Sequence, residues 1–509
     1  MAQLCAFSKK NAYFCDVINK ETMNNHINFG YLLFISIVAA LGGFLFGYDE
    51  AVISGTVDEV QLQFDLTALM KGWFVSSALL GAIFGVLIGG ALSDNFGRKN
   101  TMICSASFFA VSMIGCAFAP NFVILVLFRL IGGMGIGVAS IVCPMYISEV
   151  SVPEKRGMLV SLYQLAVTIG VLGAYLSNSY LLGYAHEAQA AIGAATEDGS
   201  LWHYIFVDEW WRGMLGVGVV PSLIFLVAVL FIPESPRWLV LRGKLDRAEG
   251  IFGRIFTNMV EIKNQIADTL EVAAKSANNA GYGALLKPGI RTAVIVGVCI
   301  AMLGQFMGVN AVLYYGPTIF KDAGLAANDA FTYQVYIGLA NTITTVLAMF
   351  IIDRVGRKAL VYYGVSGMIV SLLLIAAYFQ WGAALEISSL WLLAFFIIYI
   401  VCCAGSICAV IFVILSEMYP LSVRGVAMSV AGLALWIATF LVGQLTPWML
   451  ETITPQGTFL FFAFCCIPYI LIMWKKVPET TGKSLEEIEK YWTDPKSVAA
   501  TATDAGENL

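Results

Sequence analysis

Twelve stretches of about 20 or more mostly apolar residues recur along this 509-residue chain, and they limit what it can fold into more than any other feature. A helix needs about 20 such residues to cross the hydrocarbon core of a bilayer, where every backbone N–H and C=O must find its partner within the protein. The stretches lie at roughly 31–55, 69–92, 100–119, 122–147, 157–183, 210–232, 290–320, 331–352, 358–379, 388–415, 425–449 and 456–475. They predict an all-α membrane protein with 12 transmembrane helices. Composition agrees: 59% of residues are hydrophobic and 12% charged, with a mean hydropathy of +0.80, more apolar surface than a water-soluble body could hide. The net charge of −5, with no basic tract, leaves no footprint for nucleic acid. The first stretch is too long for a cleaved signal peptide and lacks a small-residue exit, so it reads as the first span. Nine of the 11 cysteines fall in apolar runs and read as small core hydrophobes.

Lys and Arg set the expected orientation. With both termini in the cytosol, all 29 basic residues fall on the inner side except Lys71, Arg212, Lys321 and the membrane-embedded Arg129. The outer segment 184–209 carries Glu187, Glu197, Asp198 and Asp208 and no Lys or Arg. A polar interruption at 233–289, with Leu239, Ile251, Phe252, Ile255 and Phe256 at periodic spacing, reads as short amphipathic helices in the cytosol. The expected organisation is a cytosolic tail (1–30), a six-helix half (31–232), a cytosolic helical linker (233–289), a second six-helix half (290–476) and a cytosolic tail (477–509).

The halves repeat each other. Asp94, Gly97 and Arg98 after span 2 return as Asp353, Gly356 and Arg357 after span 8. Glu149 and Arg156 after span 4 return as Glu417 and Arg424 after span 10, and Pro233-Glu234-Ser235 returns as Pro478-Glu479-Thr480. Paired six-span halves holding a substrate midway between them are a common plan of secondary transporters. Nothing supports an enzyme: His26, His186 and His203 lie in the tail and the outer loop, without a nucleophile or metal-ligand spacing.

Several runs occur in a specific order: Gly47-Tyr48-Asp49, Arg129-Leu-Ile-Gly132-Gly133, Pro144-Met-Tyr146-Ile-Ser-Glu149, Pro233-Glu-Ser-Pro-Arg237-Trp238, Asn310-Ala-Val-Leu-Tyr314-Tyr315 and Pro478-Glu-Thr-Thr-Gly482. In them the chain resembles the sugar porter family of the major facilitator superfamily, and is similar to bacterial xylose-proton symporters and animal glucose facilitators, over about 31–490. The resemblance implies the major facilitator fold, with two pseudo-symmetric halves. It implies a plasma or bacterial inner membrane protein, functional as a monomer, that imports a monosaccharide, pentose or hexose, by proton symport through alternating access. Its partners would be the sugar, protons and the lipid bilayer, with no cofactor. Passive facilitation and proton-coupled transport of an inositol-type polyol are the alternatives, and a non-transporting sugar sensor is a further one.

Candidate residues follow. Asp49 lies in the apolar run of span 1 and Arg129 in that of span 4; charge there is costly and usually functional. The resemblance makes them a proton-coupling pair, against the alternative that Asp49 sits at the outer interface beside Glu50. Amides both donate and accept, as sugar hydroxyls require, which selects Gln164, Gln305, Asn310 and Asn341 within spans, each of which could instead bond another helix. Phe46 and Trp436 could cover the apolar face of a sugar ring or simply pack in the core, and Tyr314 joins this set by resemblance. The family's usual polar or tryptophan residues are replaced by Gly304, Phe412 and Leu435, which implies three fewer polar contacts and leaves the substrate open. Gly316-Pro317 is expected to break span 7 beside Tyr315 and serve as a gate. Asp94, Arg98, Glu149, Arg156, Asp353, Arg357, Glu417 and Arg424, joined by Glu234, Arg237 and Glu479, are expected to form ion pairs holding the inner mouth shut. The glycines at 81, 85 and 89, and at 133, 135 and 137, read as close helix packing.

Overall fold

A computed structural model describes residues 27–152, 155–192, 200–276, 282–287, 289–420, 423–479, 488 and 491–492. Twelve helices in it are long and apolar enough to cross a membrane. In order, spans 1–12 are Phe29–Gly55, Ala68–Phe96, Arg98–Ala117, Phe122–Val150, Arg156–Ala190, Trp210–Phe231, Ile290–Asp322, Ala327–Ile352, Arg357–Trp381, Ser389–Met418, Arg424–Thr452 and Thr454–Lys475. Each apolar stretch of the sequence has its helix, and no strand occurs among the described residues. Side-chain oxygens of Asn28, Thr67, Asn121 and Ser388 cap the N-termini of spans 1, 2, 4 and 10, accepting from backbone donors that a helix start leaves unbonded. Apolar side chains such as Leu223, Phe231, Phe350 and Phe464 point outward from the bundle, an arrangement suited to lipid and costly in water.

The repeat seen in the sequence is also a repeat of packing. Span 1 lies against span 5, span 2 against 4 and span 3 against 6; span 7 likewise lies against 11, span 8 against 10 and span 9 against 12. Between the halves, span 2 meets span 11 and span 5 meets span 8. The glycines of spans 2 and 4 permit close approach: a Cβ on Gly133 would stand 1.9 Å from the carbonyl oxygen of Ala78. The turns after spans 2 and 8 share one geometry, with Gly97 at φ 92° and Gly356 at φ 92°, which only glycine adopts without strain.

The segment after span 6 forms helices Pro236–Leu241, Leu245–Ile255 and Met259–Ser276. Leu239, Phe252, Ile255 and Phe256 are buried in one cluster with Leu32, Tyr146 and Ile147 of the first half. The Asn28 backbone N–H donates to the Ile255 carbonyl at 2.9 Å, and the Tyr146 hydroxyl to that of Pro233 at 2.9 Å. These helices therefore sit at the end of the bundle where Arg98 and Glu149 lie, called the basic end below; the opposite end is the acidic end.

Candidate functional site

Asp49 occupies the last turns of span 1 and is fully buried, not at an interface. The Arg129 guanidinium of span 4 donates to it at 2.8 Å, and Arg129 itself is 2% exposed. One Asp49 oxygen and the Arg129 Nε have no protein partner. Two opposite charges sealed together this way depend on each other, because either alone would be an uncompensated buried ion. The other bases expected off the inner side are paired as well. Lys71 and Lys321 both bond Asp58, at 2.9 and 3.0 Å, and Arg212 pairs with Glu209 while donating to the Ala119 carbonyl at 2.7 Å.

Phe46, Glu50, Ala78, Arg129 and Tyr314 line one small cavity between the halves. Glu50, half-buried, accepts a hydrogen bond from the Tyr314 hydroxyl in the other half. Phe46 and Trp436 face each other across the same boundary with ring centroids 5.9 Å apart. The Phe46–Trp436 pair can cover the apolar face of a sugar ring, while the cavity itself is too small to hold one.

The four amides divide into two kinds. Asn310 donates to Gln305 at 2.8 Å, so these two partner each other on span 7. The side chains of Gln164 and Asn341 bond no other described residue and keep contact with open space. Gln164 is exposed on the face of span 5 that also carries Thr168, Leu172 and Tyr175. That face meets span 8 where the Thr342 hydroxyl donates to the Thr168 carbonyl at 3.2 Å and Gly338 abuts Tyr175. Gln164 is one turn nearer the basic end, past the last of these contacts. Among the replaced positions, Gly304 is buried with space for a Cβ in ordinary contact with Ile407 and Tyr469, Leu435 is half-buried, and Phe412 is 54% exposed.

Span 7 is broken, but not at Gly316-Pro317 as expected. Its helix stops at Phe306 and restarts at Val309, around Gly308 at φ 89°. A Cβ there would meet the Phe462 ring at 2.3 Å, so both backbone and space demand glycine. The helix continues through Pro317 because the carbonyl that proline leaves unbonded, that of Leu313, is taken by others. The Tyr175 hydroxyl of the first half donates to it at 2.9 Å and the Gln334 amide at 3.3 Å. Neither residue stood out in the sequence. Tyr315, expected at the gate, donates to the Gly443 carbonyl of its own half at 2.6 Å; Tyr314 is the one that reaches across.

At the acidic end polar contacts join the two halves. Beyond its two lysines, Asp58 accepts from Thr318 at 2.8 Å, and Gln444 bonds Ser76 at 2.6 Å and the Leu69 carbonyl at 2.9 Å. Burial works to raise the Asp58 pKa, but Lys71 and Lys321 outweigh it and hold the carboxyl at about 2. No motif marks this hub, and sequence reasoning missed it.

At the basic end the clusters close within each half. Arg98 forks onto Glu149 at 2.8–3.1 Å and reaches Asp94 at 3.2 Å. Glu149 also accepts from Ser235 at 2.5 Å, and Glu234 accepts from the Arg98 and Lys99 backbone N–H groups at 2.8 and 3.1 Å. The second half repeats the plan: Arg357 meets Glu417 at 3.3 Å, and Glu479 accepts from the Lys358 N–H at 3.3 Å. Arg424 donates to the Tyr419 carbonyl at 3.3 Å. Arg237 lies near Arg156 and Glu149, and burial together with Arg156 pushes its pKa down. The Asp353 side chain and Thr480 lie outside the described residues. In this arrangement the named pairs brace helices of one half, and the expected lock between halves at this end is not what they form.

Comparison with known proteins supplies the family. The family model "Sugar (and other) transporter" matches residues 35–492. An arabinose-proton symporter of Bacillus subtilis is 36% identical over 91% of this chain and 95% of its own length. A D-xylose-proton symporter of Escherichia coli is 34% identical over 94% of this chain and all of its own. The inward-open structure of the xylose transporter XylE from E. coli superposes with a TM-score of 0.76 at 31% identity, covering 91% of this chain and all of that one. The helical bundle is therefore the major facilitator fold. Matched along nearly its whole length, the chain belongs to the sugar transporter family, multi-pass membrane proteins that carry solutes and are not enzymes.

Proposed function

We propose that this protein imports a monosaccharide, pentose or hexose, by proton symport, its two halves alternately opening a central site to either face of the membrane. The observation that carries this reading is the sealed Asp49–Arg129 pair in the middle of a membrane helix bundle. A carboxyl whose charge is tolerated only beside one guanidinium gains or loses a proton when that contact or its access to water changes, which is what coupling demands. The relatives that are arabinose-proton and xylose-proton symporters support the same chemistry. Phe46, Gln164, Gln305, Asn310, Tyr314, Asn341 and Trp436 form the sugar site in this reading. The unbonded amides of Gln164 and Asn341 serve the hydroxyls, and Phe46 with Trp436 serves the ring face.

Orientation completes the proposal: both termini in the cytosol of a cell-membrane protein acting as a monomer, so that the basic end faces inward. The contacts through Asp58 and Gln444 then close the outer side, and the helix-end clusters from Asp94 to Glu479 keep each half rigid at the inner mouth while the halves rock. The experiment is uptake into proteoliposomes of a panel of labelled pentoses, hexoses and inositols, with and without an inward proton gradient. Gradient-dependent accumulation of a pentose or hexose supports the reading. Equilibration that ignores the gradient leaves a passive facilitator, and accumulation of inositol alone moves the substrate to a polyol.

A further inference from the structure

Glu50 follows Asp49 in the chain yet belongs to a different contact. Asp49 and Arg129 are both in the first half, so rotation of one half against the other leaves the bond between them in place and changes only the pair's access to water. The Glu50 carboxyl instead accepts from the Tyr314 hydroxyl of the second half, a bond that parts when the halves separate at the acidic end. A group responds to the position of the halves only if its surroundings differ between the two arrangements, and Glu50 meets that condition directly.

The titratable and charged groups facing Glu50 are Asp49 on its own helix, Arg129 of span 4, Tyr163 and Tyr175 of span 5, Tyr314 of span 7 and Cys408 of span 10. The cation among them, Arg129, already bonds Asp49. A carboxylate enclosed beneath Tyr314 would therefore lack a counter-ion of its own, at a cost a neutral carboxyl does not carry. The neutral form still accepts the Tyr314 bond through its carbonyl oxygen.

We propose that Glu50 is a second proton-coupling residue beside Asp49, and that its protonation licenses closure of the acidic end. With that end open, an O–H bond forms on Glu50 from a proton of the outer water. The halves then close, setting Tyr314 on the neutral carboxyl. With the basic end open, the O–H bond breaks and the proton passes to water on the inner side. This step rests on the symport reading.

The test is steady-state sugar accumulation in proteoliposomes under an inward gradient of about one pH unit, which sustains about tenfold accumulation for each proton carried. A wild type that merely equilibrates sugar overturns the symport reading and this one with it. With an accumulating wild type, E50Q is expected to accumulate about tenfold less at that gradient, while its sugar exchange persists with a displaced pH dependence that Asp49 alone sets. E50Q that accumulates as the wild type does overturns the role of Glu50 and leaves symport through Asp49 standing. E50D, which still titrates but reaches Tyr314 less well, keeps the question open to refutation if E50Q does not fold. It is expected to accumulate sugar with a displaced pH midpoint of exchange, and an unmoved midpoint overturns the proposal.

Discussion

The two ends of the bundle use the same chemistry in opposite ways. At the acidic end, polar contacts run from half to half: Asp58 to Lys321 and Thr318, Gln444 to Ser76 and the Leu69 carbonyl, Tyr314 to Glu50. At the basic end, Arg98 with Glu149 and Arg357 with Glu417 each stay within one half. One set must break whenever the halves part; the other need not, and gives each half a rigid floor. Between the ends, Tyr175 on the Leu313 carbonyl, Thr342 on the Thr168 carbonyl, and Phe46 against Trp436 mark the level at which the halves still touch. Past it lies exposed Gln164. Motion therefore acts on one end: the acidic end is a latch between the halves, and the basic end is scaffold within each.

Substitutions put that contrast to the test, and the largest effect belongs to a pair inside one half. Asp49→Asn leaves Arg129 buried and unpaired, with an expected loss of about 3–5 kcal/mol. Thermal unfolding in detergent should show it, and D49N/R129Q should recover part of the loss. Next is the scaffold itself. R98A strands the Glu149 carboxylate, which is 15% exposed, and should cost about 2–3 kcal/mol in the same assay. R357A, facing the more exposed Glu417 at 3.3 Å, should cost about 1 kcal/mol. Equal effects would deny the two floors their difference in burial.

The latch should respond in accessibility before stability. Losing the bond across the boundary in K321A removes about 1 kcal/mol of closure. Labelling of a cysteine placed at Ser76 by an impermeant maleimide should then rise about fivefold at neutral pH, with little change in melting. The pH dependence has a definite sign. Asp58 is held at about 2 against an ordinary 3.8, so its contribution is fully present above about pH 4 and fades as pH falls toward 2. The distance between spin labels attached across the acidic end should lengthen in that acid window, and a lengthening already complete above pH 5 would exclude Asp58 as its cause. The smallest effect is Gln164→Ala. No protein bond is lost, so melting should be unchanged, while the apparent affinity for the transported sugar weakens by about 1 kcal/mol, or about fivefold. A drop in melting temperature would make Gln164 a structural residue.

Much of this was legible from residue order because the membrane reduces the choices. Each helix had to be long, apolar and internally bonded, and duplicated motifs located matching corners of the two halves. Charge in an apolar run was enough to select Asp49 and Arg129. Other features depend on orientation that one-dimensional order does not carry. Tyr314 and Tyr315 are adjacent, yet about 100° of helical rotation sends one across the boundary and the other into its own half. Pro317 suggested a break that Tyr175 and Gln334 repair from distant helices, while Gly308, unremarked among 48 glycines, carries it. The Asp58 hub joins Lys71 and Lys321 from opposite halves, and only the fold brings them together.

Symport is tested most directly by watching the proton itself. Proteoliposomes in lightly buffered medium, given an inward gradient of each candidate sugar, should turn the external medium alkaline as sugar enters, for the sugar that the panel identifies. Wild-type protein that carries that sugar inward with no movement of external pH would contradict the account and leave a passive carrier on the same scaffold.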